Sequence, residues 1–327
     1  MTTEKSSTAV VSAVDGDNWE STKNEKANRA CPNNNPFIYI PTTLNGVQNS
    51  KTKWWTNYWW GLNEWHEGTY IGDPKFRSDF DPKKFYKQLD DGTVKLTAFW
   101  DKNRRNPSSN QPDPCWITAE LVCGGMDGTN DYFYGTYGHY AVIVSTEDFG
   151  SFDPGVCFGV FTYQFGKAAD PDEGRRCENV NREIDLLETI STAQQKLHGN
   201  AQFALQPASP DQPDGKSLLR FTIPKGTPTV TAYMYWGDPL GLETTKIRLY
   251  AGDHTISSIT HDKSLKALAE WDVGNFDSDN GHAWYANVPK PKHQRMHINL
   301  YIPGANDIAN KEHVNEVIIK RFEYSHK

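Results

Sequence analysis

Residues 229–252 read TVTAYMYWGDPLGLETTKIRLYAG. Two runs of β-branched and aromatic residues, 229–236 and 246–252, flank a stretch carrying Gly, Asp and Pro, which is the punctuation of paired strands. In the second run Ile247 and Leu249 alternate with Arg248 and Tyr250. That period of two suits a sheet with one packed face and one wet face. The same kind of run recurs in both directions along the chain: TVKLTAFW (93–100), WITAELVC (116–123), HYAVIVS (139–145), GVFTYQF (159–165), REIDLLE (182–188), AQFAL (201–205), MHINLYI (296–302) and EVIIKRFEY (316–324). No helices alternate with these strands, so the reading is all-β: an antiparallel β-sandwich jelly roll, not a doubly wound sheet. No fixed-period repeat points to a propeller. A single short helix is predicted at SLKALAEW (264–271), with Ser264 as its N-cap.

Residues 1–30 are rich in Ser, Thr, Lys, Glu and Asn and read as a disordered tail. Residues 31–327 read as one jelly-roll domain, ordered from near Phe37, because no shift of composition divides them. Long loops are expected at 101–114, 166–181 and 206–217, where loops on a sandwich shape a cleft.

Of the 327 residues, 37% are hydrophobic and 13% aromatic, with 11 Trp, 15 Tyr and 15 Phe against four Met. The apolar share suffices for a packed core. The net charge of −7 is spread without a basic block, which sets nucleic-acid binding aside. Apolar runs such as AVIV (141–144) and CFGVF (157–161) fall far short of the ~20 residues that cross a bilayer. A monomer is expected, without a membrane partner. The first residues lack a leader signature, and an exported compartment, secreted or periplasmic, is the expectation for a chain trimmed of one. Cys31, Cys115, Cys123, Cys157 and Cys177 form no zinc spacing. They read as buried thiols or one to two disulfides, Cys115 with Cys123 being the nearest pair in sequence.

The stretch NREIDLLET (181–189) places Glu183, Asp185 and Glu188 in an otherwise apolar strand, where unpaired charge is expensive to bury. In a regular strand Glu183 and Asp185 share a face and Glu188 points the other way. A helix leaves the two glutamates roughly 140° apart. One extra residue, a β-bulge at Leu186 or Leu187, brings all three acids to one face. Two carboxyl groups at that spacing suit the ~5–5.5 Å separation of retaining glycosidases, not the ~6.5–9.5 Å of inverting ones. Asp185 between them would hydrogen-bond the nucleophile, and mutual repulsion would raise the pKa of Glu188. The competing readings are a solvated edge strand and a three-carboxylate site for a hard cation.

The segment EIDLLE (183–188) resembles the E-I/L-D-x-x-E signature of glycoside hydrolase family 16, in the bulged form shared by laminarinases, agarases and carrageenases. FYGTYGHYAVIV (133–144), GVFTYQ (159–164), HINLYIPG (297–304) and EVIIKRFEYS (316–325) are similar to segments that flank that signature. The resemblance spans about residues 90–325. It implies a retaining endo-glycosidase acting on a β-linked polysaccharide such as a β-1,3-glucan or a galactan, with Glu183 as nucleophile, Asp185 as its assisting acid and Glu188 as acid/base. Asn181 and Arg182 stand where laminarinases carry a different lead-in, so β-1,3-glucan is only the family default. A carbohydrate-binding jelly roll that has lost turnover is the alternative.

Substrate contacts are expected from aromatic planes, which suit the C–H faces of sugars. Trp59 and Trp60 in KWWTNYWWGLNEW (53–65) are candidates, since that run holds more Trp than one strand face can bury. Trp100 is another. Trp236 in YMYWGD is the candidate for the tryptophan that the family carries after its signature. His139 is read either as a structural imidazole or as a groove residue of the kind the family places there. Gln202 and Gln206 follow the catalytic strand and could bond sugar hydroxyls. EWHEG (64–68) lacks zinc-protease spacing, and no GxSxG elbow or phosphate loop is present. DSDNG (277–281) begins like a calcium loop but lacks the later ligands. No cofactor is expected, beyond room for a structural calcium ion.

Overall fold

A computed structural model of the chain describes the backbone of residues 38–42 and 54–60, and residues 85–103, 110–112, 114–123, 136–163, 183–189, 198–206, 217–238, 241–273, 288–289, 294–302 and 310–326. The described strands form one continuous antiparallel array folded into two layers. The first layer runs, strand beside strand, through β10 (Leu218–Phe221), β9 (Ala201–Gln206), β8 (Glu183–Thr189), β7 (Cys157–Tyr163), β14 (Arg295–Tyr301) and β5 (Cys115–Cys123), with β2 (Trp54–Trp60) and β1 (Ile38–Thr42) attached to β5. The second runs through β4 (Val94–Asp101), β15 (Asn315–His326), β6 (Gly138–Ser145), β11 (Thr229–Trp236), β12 (Thr245–Ala251) and β13 (Ala269–Val273), with β3 (Tyr86–Gln88) on β4. Strand β4 joins the layers: Val94–Ala98 pair with β15, and Phe99–Asp101 pair with β5.

The period-two pattern explains the layering. Val142, Val144, Val230, Ala232, Met234, Ile247 and Leu249 of the second layer meet Phe158, Val160, Ile184, Phe203, Ile298 and Leu300 of the first in one fully buried core. Their alternate neighbours point outward. On the outer face of the second layer Ala141, Ile143, Tyr233 and Tyr250 make a smaller cluster, covered by Ile256 and Ile259 of the helix α1 (Ile256–His261) and by Leu265 and Ala267. The all-β jelly-roll expectation therefore holds.

The helix expectation needs correction. The helix lies upstream of 264–271, at Ile256–His261, where Thr255 is the N-cap and accepts from the Ser258 amide. Residues 264–271 do not continue it, because Asp262 Oδ1 takes both the amide and the hydroxyl of Ser264 in a local turn. Beyond that turn, Ala269, Trp271 and Val273 are buried while Glu270 and Asp272 are exposed, the alternation of a strand. Strands β1, β2, β3, β10 and β13 were not predicted. The tail at 1–30 and most of the three long loops lie outside the described residues, as do the side chains of Cys115 and Cys123. Cys157 is a buried free thiol. Among the described residues, no helix is long and apolar enough to cross a membrane.

Candidate active site

The acids stand on β8, and a bulge decides where they point. Against β7, Asp185 faces Phe161 and Leu187 faces Val160, so Leu186 is the extra residue. Against β9, Asp185 faces Ala204 and Glu188 faces Gln202, three steps on β8 against two on its neighbour. Ile184, Leu186 and Leu187 are all fully buried in the shared core. Two consecutive leucines on one side reset the phase, and Glu183, Asp185 and Glu188 share the other side. The chain tolerates the bulge because both leucines gain burial worth roughly 1.5–3 kcal/mol each.

Asp185 hydrogen-bonds to both Glu183 and Glu188. It is 1% exposed. Gln206 Nε2 donates to Asp185 Oδ2 at 3.2 Å, and Gln202 Nε2 donates to Glu188 Oε2 at 2.7 Å. Burial pushes all three upward, and like charge adds to it at Glu183 and Asp185. Glu183 is raised to about 8, chiefly by burial and then by the charges of Glu188 and Glu120. Asp185 is raised by burial and by both glutamates, with the Gln206 bond opposing. Glu188 is raised by burial, against the lowering bonds from Gln202 and Asp185. Desolvation outweighs the hydrogen bonds, so the three do not all ionise near neutrality and the protons belong to the cluster as a whole. A protonated Asp185 can donate to a neighbouring carboxylate.

The register extends this surface across the layer. Glu188 faces Gly159, which faces Asn299 on β14, which faces Glu120 on β5. At Gly159 a Cβ would stand 2.6 Å from Asn299 Oδ1, so a larger residue there needs the Asn299 amide to shift. One row along, Asp185 faces Phe161, which faces His297, and the Phe161 and His297 rings stack at 5.1 Å. His297 Nδ1 and Glu120 Oε1 lie 2.8 Å apart in a fully buried pair. Cys157 and Tyr301 face each other beyond Gly159, and the charge of Glu188 helps to raise both. Glu120, His297, Cys157 and Tyr301 were missed as site residues. A signal existed, since Glu120 interrupts WITAELVC and His297 and Asn299 alternate with Ile298 and Leu300 in MHINLYI.

Of the expected substrate contacts, Gln202 and Gln206 each touch an acid. Two are corrected. His139 lies on β6 in the second layer, on the face of Ala141 and Ile143, with Nδ1 2.7 Å from Tyr233 Oη. The acids occupy the far side of the other layer, a sheet spacing of about 10 Å beyond the core. Trp236 points into the core, is fully buried, and donates from Nε1 to Pro289 O at 3.1 Å. Both follow from strand phase: Tyr140, Val142 and Met234 hold the core register, which fixes which neighbours turn out and which turn in. Trp100 packs edge-on against Trp116 at 5.5 Å, with Lys311 Nζ 3.9 Å over its ring. Trp59 and Trp60 pair in β2 with Thr118 and Ile117, and their side chains lie outside the described residues.

No family model and no curated protein matches the chain. Similar solved structures include the laminarinase catalytic domain from Thermotoga maritima MSB8, with 10% identity, 75% of this chain and 81% of that one covered and a TM-score of 0.44. Others are a laminarinase from Flavobacterium sp. UMI-01, with 11% identity, 75% and 83% covered and a TM-score of 0.43, and a glycosyl hydrolase family protein from Mycobacterium fortuitum, with 13% identity, 81% and 90% covered and a TM-score of 0.43.

Proposed function

We propose that the chain is a retaining endo-glycoside hydrolase that cuts a β-linked polysaccharide, a β-1,3-glucan or a galactan, by double displacement. The observation that carries this reading is the bulge at Leu186, which gathers Glu183, Asp185 and Glu188 on one face with Asp185 bonded to both glutamates. Glu183, as carboxylate, attacks the anomeric carbon while Glu188 gives its proton to the departing glycosidic oxygen. Asp185 donates to Glu183 and holds its charge. In the second half Glu188, now a base, takes a proton from water, which displaces the sugar from Glu183. One carboxyl must be protonated and another ionised at the same pH, and the raising of the cluster as a whole keeps a proton among the three near neutrality.

Trp59, Trp60 and Trp100 remain the proposed sugar-stacking residues, on a secreted or periplasmic monomer whose catalytic domain spans 31–327. The test is reducing-end release from laminarin, mixed-linkage glucan, agarose, carrageenan and galactan by wild type and Glu183→Gln. Wild type is expected to cleave at least one. Glu183→Gln is expected to bind the same polysaccharide without cleaving it. Binding by wild type with no turnover on any of them would favour a carbohydrate-binding jelly roll instead.

A further inference from the structure

Three side chains from adjacent strands stand in one row at the edge of the first layer: Arg220 on β10 faces Gln202 on β9, which faces Glu188 on β8. Arg220 Nε donates to Gln202 Oε1 at 3.4 Å, and Gln202 Nε2 donates to Glu188 Oε2 at 2.7 Å. We infer that Arg220 is a positioning residue, which locks the Gln202 amide in the orientation that donates to Glu188. The inference rests on the reading of Glu188 as the acid/base.

The argument is one of donor and acceptor identity. A guanidinium has donors and no acceptor, so the amide can turn only its oxygen toward Arg220. Its NH2 then faces Glu188. Rotated by half a turn, the amide would present its oxygen to Glu188 and would need the carboxyl proton as partner. The two amide orientations thus match the two protonation states of Glu188. Arg220 selects the one that favours the carboxylate, and the hydrogen bond from Gln202 opposes the upward push of burial on Glu188.

Of the other groups around Glu188, Asp185 bonds to it and favours its carboxylate as Gln202 does. Asp185 and Glu183 come from its own strand, Cys157 from β7 and Tyr301 from β14. Glu120 on β5 acts on Glu183. Without the lock, the amide is free to accept, and Glu188 keeps its proton to higher pH. That would prolong its acid form and impair its return as base.

The test is a carboxyl 13C NMR titration of Glu188, assigned with Glu188→Gln, in wild type, Arg220→Met, Gln202→Leu and the double variant. Arg220→Met and Gln202→Leu are each expected to move the midpoint upward by about one pH unit. The double variant is expected to move it no further than Gln202→Leu alone. An unchanged midpoint in Arg220→Met overturns the inference, and so does a full additional shift in the double variant, which would assign the effect to charge acting through space. Arg220→Gln supplies the same measurement if the methionine variant does not fold. In turnover, the alkaline limb of kcat/KM is expected to follow the midpoint. The titration needs no turnover, so an inactive wild type would count against the proposed function and leave the amide lock to stand or fall on the midpoints.

Discussion

The outer faces of the two layers treat charge in opposite ways. On the second layer acids stand beside cations: Arg248 pairs with Asp272 and, at 3.3 Å, with Glu270; Arg321 pairs with Asp253 and, at 3.0 Å, with Glu323; Lys95 pairs with Glu316. On the first layer Glu183, Asp185 and Glu188 stand against one another, with amides as their other partners. Exposed ion pairs contribute about 0–1 kcal/mol each and mainly keep a surface soluble. Gathering like charges on a buried face lowers stability, so stability does not account for it. Perturbed carboxylates set together on a sheet surface are the arrangement that the proposed chemistry calls for.

The largest expected effect breaks the first face. Glu188→Ala is expected to lower kcat/KM on unactivated polysaccharide by about 10²–10⁴-fold, with recovery by azide or by a substrate with an activated leaving group. Loss without recovery would remove the proton-donor role. Next comes the core side of the same strand: Leu187→Ala is expected to cost about 2–5 kcal/mol in urea unfolding. A cost below 1 kcal/mol would mean that the bulge is not held by its leucines.

A substitution on the acid side should act in the reverse direction. Below the ordinary Glu183 value of 4.5, folded and unfolded chains both hold its proton; from there to about 8 the unfolded chain releases it more readily. The Glu183 contribution to stability is therefore lost as pH rises across that window. Glu183→Gln is expected to flatten this dependence and to raise stability above pH 8 by about 2 kcal/mol. Destabilisation at that pH would contradict the buried like-charge account. The smallest effect belongs to the second layer, where Arg248→Met is expected to change stability by less than about 1 kcal/mol, and less still in high salt.

How much of this the sequence discloses depends on how local the cause is. Alternation in KIRLYAG and the missing helices suffice for an all-β sandwich. The bulge is legible because Glu183 and Glu188 are five residues apart and a regular strand sends them to opposite faces. Strand β13 escaped because LKALA looks helical in isolation, while its fate depends on a turn at Asp262 and on pairing with β12. His139 and Trp236 escaped for a longer-range reason. Facing out or in is a matter of phase, but whether that side is the one that carries the acids depends on the layer a strand joins, which pairing across the whole chain decides. Glu120 and His297 are 177 residues apart, and only the neighbouring of β5 and β14 makes them a pair.

The most direct test of the central claim is the anomeric configuration of the first product, followed by 1H NMR in the opening minutes of hydrolysis of whichever polysaccharide is cut. Three acids on one face of a bulged β8, with Glu183 as nucleophile, predict that the new reducing end appears as the β-anomer and only later equilibrates. An α-anomer appearing first would mean a single displacement by water and would contradict the account.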